Sequence, residues 1–164
     1  MKFAAMMLVW CGLFAGARAA EWLPIEKQVA EIAKAKQPTV VHFWAPWCPN
    51  CRAEAREGWG KFIADNPDVN FVFVTVWSDS DGDGAELLKK LGVGGQKNFR
   101  LLMHPNTSIR TSEKTSEFMG LPMIWIPATW IFRDGKLRYA LNYGEVRFPM
   151  LQQLVADTKT SWDR

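Results

Sequence analysis

The sequence predicts an α/β domain built on a central mixed β-sheet with helices on both faces. Three observations predict it. From Val69 to Trp77, Phe71, Phe73, Thr75 and Trp77 alternate with Val72, Val74 and Val76. A strand there is apolar on both faces, as suits a sheet covered from both sides. Asp134-Gly135 separates the strand-like runs Ala128 to Phe132 and Leu137 to Tyr143, a hairpin signal. The element order is helix, strand, helix, strand, helix, strand, hairpin and helix. A βαβ half followed by a ββα half fits that order.

Taken in order, Ile25 to Gln37 carries Ile25, Val29, Ile32 and Ala33 at helical spacing, and Pro38 stops it. Thr39 to Trp44 is short, β-branched and aromatic, and reads as a buried strand. Pro49 to Asp65 reads as a helix with Trp59, Phe62 and Ile63 inward. Gly58 and Gly60 weaken it, and Asn66-Pro67 ends it. Ala85 to Leu91 is a short helix, Gly92 to Gly95 a loop and Phe99 to Met103 a strand. Thr111 to Met119 is expected to form a helical turn. Met150 to Thr158 closes the chain as a helix with Leu151, Leu154 and Val155 on one side. There is no internal repeat and no low-complexity stretch.

The chain has 164 residues, 48% of them hydrophobic and 13% aromatic. That suffices for one packed core and argues against disorder. Residues 1–19 read as a secretory signal: Lys2, an uncharged apolar run from Phe3 to Gly16, then small residues at Ala17 and Ala19 around Arg18. The run is short for a bilayer span, and Trp10 before Cys11 is a poor lipoprotein signal. Residues 20–164 then form a single domain. Without Lys2 and Arg18, 20 basic residues become 18 against 17 acidic ones, and the formal charge falls from +3 to +1. No basic block suited to nucleic acid remains. Export also removes Cys11 and leaves Cys48 and Cys51, in a compartment that permits disulfide chemistry.

Those two cysteines lie in Trp44-Ala45-Pro46-Trp47-Cys48-Pro49-Asn50-Cys51, between a predicted strand and a predicted helix. Cys48 is placed at the helix N-terminus, facing solvent, where unpaired N–H groups and the helix dipole favour a thiolate. Cys51 sits a turn further in, where it can resolve a mixed disulfide formed on Cys48. Pro49 in the first turn costs no hydrogen bond.

The chain resembles the thioredoxin superfamily, within it the exported TlpA-like, ResA-like and DsbE-like thiol–disulfide oxidoreductases. Two blocks carry the resemblance: Val40-Val41-His42-Phe43-Trp44-Ala45-Pro46-Trp47-Cys48-Pro49-Asn50-Cys51-Arg52, and Ile126-Pro127-Ala128-Thr129-Trp130-Ile131-Phe132-Arg133-Asp134-Gly135-Lys136. It implies a thioredoxin fold, a cis peptide before Pro127, and Ile126 as a contact for the extended backbone of a substrate. Trp47, Pro49, Asn50 and Trp125 are expected beside the same groove. It further implies protein thiols or disulfides as substrates and no cofactor. Reduction is the implied direction, fed by a membrane donor of the DsbD or CcdA type, in the periplasm or another extracytoplasmic space, by a monomer. Cytochrome c maturation is one destination among several. Relatives often carry an acid or an amide where this chain has His42. Two readings of His42 stand side by side, a proton relay to the resolving thiol and a core histidine with one hydrogen bond. Relatives also often have a proline soon after the second cysteine, and none lies between Arg52 and Asn66.

The rivals are a disulfide oxidase or isomerase and, outside enzymes, a copper or zinc chaperone using the same cysteines or a binding module whose disulfide is only structural. Only His42 and His104 add imidazole ligands, and no second CxxC completes a structural zinc site. Asp79-Ser80-Asp81-Gly82-Asp83-Gly84 imitates the start of a calcium loop, but Lys90 stands where a bidentate glutamate is required. The acidic loop reads instead as a solvated entry to the helix at Ala85. Of nine tryptophans, Trp44, Trp47 and Trp125 are expected around the site, and Trp59, Trp77 and Trp130 in the core.

Overall fold

The computed structural model describes residues 21–79, 81–142 and 147–160. The predicted signal and the end of the predicted strand at Tyr143 lie outside them.

Five strands form the main sheet in the order β3-β2-β1-β6-β7: β1 Thr39–Trp44, β2 Asn70–Thr75, β3 Phe99–Met103, β6 Ala128–Arg133 and β7 Lys136–Asn142. β1 pairs parallel with β2 and antiparallel with β6; β2 pairs parallel with β3, and β6 antiparallel with β7. The sheet is therefore mixed. β1 is its middle strand, and all six of its residues are buried. One face carries α2 Pro49–Glu54, α3 Gly60–Asp65, α4 Ala85–Lys90 and α5 Phe148–Thr158, whose Cys51, Phe62, Ile63, Leu88, Leu151 and Val155 pack on Val40, Trp44, Phe71 and Phe73. The other face carries α1 Pro24–Ala33 and the two-stranded hairpin β4 Glu117–Phe118 and β5 Leu121–Pro122. There Val29, Phe118 and Met123 meet Val41, Phe43 and Trp130.

β1 and β3 begin and end where the sequence places them. α1 stops earlier, at Ala33, and turns through residues 34–37. α5 starts earlier, because Pro149 in the first turn needs no hydrogen-bond partner. The expected helical turn from Thr111 to Met119 is corrected. A turn closes at 111–113, but Glu117 and Phe118 are extended, and Met119 (φ 53°) and Gly120 (φ 73°) fold the chain back as a hairpin. Two successive positive φ values suit a two-residue hairpin turn and are incompatible with a right-handed helix. Asp134 and Gly135 make the same turn between β6 and β7, with φ of 52° and 73°.

The helix after the cysteines is continuous from Pro49 to Asp65, but its middle is not α. Residues Ala55–Trp59 form one π turn, with no proline to cause it.

Candidate active site

β1 ends at Trp44, and the chain turns once before α2. Cys48 is the N-cap of α2: its backbone is extended (φ −72°, ψ 115°), and its Sγ accepts the Cys51 N–H at 3.3 Å. The dihedrals end the loop and the sulfur takes one of the donors that a helix start leaves unpaired. Those donors hold a thiolate better than a thiol. The Cys48 thiol is lowered to about 7, chiefly by the Cys51 side chain, with burial opposing and the backbone N–H groups of Cys51 and Asn50 assisting. Cys51 is fully buried, and burial pushes its thiol far up, with the Cys48 charge adding to the shift. The two thiols are thus separated in acidity by their surroundings.

One expectation is corrected here. Cys48 does not face solvent broadly; it is only 3% exposed. Pro49 is exposed, Asn50 half-buried and Trp47 44% exposed. Trp47 is pinned despite its exposure, because its indole N–H donates to the carbonyl of Trp77. Trp77 follows β2 in a left-handed conformation (φ 49°). Its own indole N–H donates to the Thr115 carbonyl at 2.8 Å, and the Lys114 ammonium lies 4.2 Å above its ring. Trp44, expected beside the sulfurs, is buried. Gly84 (φ 77°) makes room for it, because a Cβ there would lie 2.5 Å from the Trp44 ring. Trp59, Trp77 and Trp130 are buried.

The second block meets the first through the sheet. Phe43 pairs with Ala128 and His42 with Thr129, so Pro127 comes to the end of β1 from which the cysteine loop emerges. The Ile126–Pro127 peptide is cis. Ile126 is half-buried and packs against both faces of the core, while Ile124 and Trp125 are 56% and 65% exposed.

Beneath the cysteines, His42, singled out from the sequence, meets an acid that the sequence reading missed. His42 projects from β1 toward α2. Its Nδ1 is 2.9 Å from the Thr129 hydroxyl, and its Nε2 is 3.9 Å from Oε2 of Glu54, the last residue of α2. His42 is fully buried, and burial lowers it to about 3. Glu54 is only 6% exposed. Burial raises its carboxyl to about 7, the Trp59 indole pulls it down, and the charges of Glu57 and Cys48 add to the rise. The signal was available: Glu54 stands three residues after Cys51, on the same face of a helix. An acid in a helix is by default a surface residue, which hid it. His104 lies elsewhere, its Nδ1 on the Asn106 backbone. Among the described residues no three His, Cys, Asp or Glu side chains group as a metal site. None of the described helices is long and apolar enough to cross a membrane.

The described chain superposes on mycobacterial DsbF in its mixed oxidised and reduced forms with a TM-score of 0.54, at 26% identity, over 75% of this chain and 81% of that one. It superposes on a secreted Mycobacterium tuberculosis disulfide oxidoreductase homologous to Escherichia coli DsbE with a TM-score of 0.56, at 24% identity, over 77% and 85%. Among curated proteins, the soluble secreted antigen MPT53 of Mycobacterium tuberculosis is 44% identical over 43 residues, 26% of this chain and 24% of the antigen. Human glutaredoxin-3 is 49% identical over 39 residues, 24% of this chain and 11% of that protein. The chain thus matches at most a quarter of the length of these curated relatives. The family model for a thioredoxin-like domain matches residues 25–159, most of the chain and both blocks of the site, and the chain belongs to that family.

Proposed function

We propose that the protein is an extracytoplasmic thiol–disulfide oxidoreductase that works through Cys48 and Cys51 and runs chiefly as a reductase of protein disulfides. The observation that carries this reading is the N-cap position of the Cys48 sulfur, with Cys51 buried one turn behind it. The Cys48 thiolate attacks one sulfur of a client disulfide. A bond forms between Cys48 and that sulfur, and the other client sulfur leaves as a thiolate and takes up a proton. Cys51 then loses its proton and attacks Cys48. The second client thiol is released, and the electron pair that both client thiols now hold leaves a Cys48–Cys51 disulfide behind. An external dithiol must reduce that disulfide; by resemblance, it belongs to a membrane protein of the DsbD or CcdA type.

Glu54 receives the Cys51 proton in this scheme. An ionised Glu54 and an ionised Cys51 repel each other across one helical turn, so moving the proton from sulfur to carboxylate keeps a single negative charge in the pocket. His42 is the relay and orienting partner of that carboxylate, itself held by Thr129. Pro127 shapes the groove, Ile126 offers backbone to an extended client, and Trp47, Pro49, Asn50 and Trp125 flank it. The acidity of Cys48 favours the reductive direction: about 7, in the thioredoxin range (about 7) rather than that of a strong oxidant (about 3.5).

Trapping tests the reading. Cys51→Ala should stall mixed disulfides on Cys48, and their masses identify clients. Absence of any Cys48 adduct in the compartment the protein occupies would overturn it. The potential decides direction, near about −270 mV for a reductant and about −120 mV for an oxidant.

A further inference from the structure

The helix that carries both cysteines loses its α register immediately after Glu54. In an α-helix, residue i+5 lies about 140° around the axis from residue i. In a π turn the i→i+5 hydrogen bond brings residue i+5 over residue i. The turn Ala55–Trp59 does this to Glu54 and Trp59. Trp59 is consequently fully buried under the cysteines, its ring 4.6 Å from His42, 5.1 Å from Phe73 and 5.4 Å from Phe148. Gly58, inside the turn, lets Phe148 close over it, since a Cβ there would lie 2.6 Å from that ring.

Two buried polar atoms of opposite sense lie here with no closed hydrogen bond among the described residues, the acceptor Oε2 of Glu54 and the donor Nε1 of Trp59, and the indole favours the charged form of the carboxyl. Buried polar atoms without partners are uncommon, and each calls for an explanation. The groups around Glu54 come from every element packed there: His42 from β1, with Thr129 of β6 behind it; Cys48 and Cys51 from α2; and Glu57 and Trp59 from the π turn. Burial, Glu57 and Cys48 all favour the neutral carboxyl. Among the described residues, the Trp59 indole opposes them by favouring the charged one.

We propose that Trp59 is a positioning residue for the exchange reaction, brought by the π turn to hold Glu54 so that its carboxylate can take the Cys51 proton. This rests on the exchange reading given above. Trp59 touches no client and no sulfur in this scheme. It acts through Glu54, and the π turn brings to that side a residue, i+5, that a regular helix would carry away from it.

The test removes one N–H and little else. Trp59→Phe does this crudely. Site-specific replacement of Trp59 by benzothienylalanine, which keeps the two-ring shape but has sulfur in place of N–H, does it cleanly and covers the case in which the phenylalanine variant fails to fold. Glu54 is followed by the carbon-13 shift of its carboxyl against pH, assigned with Glu54→Gln. Losing a donor to a charged group should weaken the acid about tenfold, raising the midpoint by about one unit. The pH profile for Cys51 resolving a glutathione mixed disulfide on Cys48 should rise with it. An unmoved carboxyl midpoint in a folded variant overturns the proposal, as does a midpoint that moves while the resolution profile stays put. If the protein exchanged no disulfides, the carboxyl titration would still decide whether Trp59 holds Glu54.

Discussion

The floor beneath the two sulfurs and the rim around them are built on opposite rules. The floor is closed: His42, Glu54 and Trp59 are buried, and its polar atoms have few partners. The rim is open: Trp47, Ile124 and Trp125 are exposed apolar side chains, and one of them is anchored by its indole N–H. In a closed pocket, solvation dominates, so acidities shift by whole units. At an open rim the same charges would be screened, and what matters is apolar area offered to a partner. Under the proposed function, the difference amounts to a division of labour, with proton handling below the sulfurs and client contact above them.

The most drastic break of the division is at the sulfurs themselves. Cys48→Ala should abolish turnover of a protein disulfide, leaving neither floor nor rim anything to serve; retained turnover would refute the assignment. A subtler break separates the floor into its parts. Folding raises Glu54 from 4.5 to about 7. A raised group adds stability that is complete below its ordinary value and is lost as pH climbs through the folded one. Folding lowers His42 from 6.5 to about 3. A lowered group adds stability that is complete above its ordinary value and is lost as pH falls. Between 4.5 and 6.5, the unfolded pair holds one proton, on histidine, and the folded pair holds one, on the carboxyl. The two contributions cancel, wherever in the pocket that proton sits. Denaturant unfolding across this window should therefore be nearly flat for the native chain. Glu54→Gln should make stability fall as pH is lowered, and His42→Asn should make it fall as pH is raised, each by up to about 1.4 kcal/mol per pH unit. Slopes of the same sign in the two variants would show that the pair does not share a proton.

The rim and the floor also differ in how far the sequence reveals them. β1, the N-cap cysteine and the β6–β7 hairpin follow from local patterns: a run of apolar residues, a helix start after a loop, a two-residue turn. These need no knowledge of the rest of the chain. Glu54 and Trp59 come together only because the helix changes register between them, and no residue type in Ala55–Trp59 announces a π turn. The anchoring of Trp47 is less legible still. It depends on the left-handed backbone of Trp77, whose indole is tied to a carbonyl 38 residues downstream. The stretch from Gly92 to Trp125 is weakly patterned because much of it is loop and two-residue strands, held by contacts such as the Met119 N–H to Glu26 Oε1 at 2.5 Å. Glu26, in the first turn of α1, is buried and ties that hairpin down.

At the rim, Trp47→Ala and Trp125→Ala should each raise KM for a protein client, by up to about tenfold if they behave as aromatic anchors of an interface. Trp125→Ala should shift stability by no more than about 0.5 kcal/mol, since the side chain is largely in solvent. If KM for protein clients is unmoved in both, the apolar rim is not where clients are held.

The smallest effect probes whether the rim is held as stiffly as its hydrogen bonds suggest. Lys114 lies over Trp77, Trp77 is bonded to Thr115, and the Trp77 carbonyl receives Trp47. Removing the ammonium should loosen the last link through the first two. Lys114→Met keeps most of the aliphatic cover and drops the charge, and it should cost about 0.5–1 kcal/mol, the range for a cation over an aromatic face. The indole N–H resonance of Trp47 should move with it, although Trp47 lies outside the mutated segment, and KM should rise less than in Trp47→Ala. A Trp47 resonance that stays in place while stability falls would mean that Trp77 is held by its backbone alone, and that the rim is tied to the β3–β6 segment more loosely than the floor is tied to the sheet.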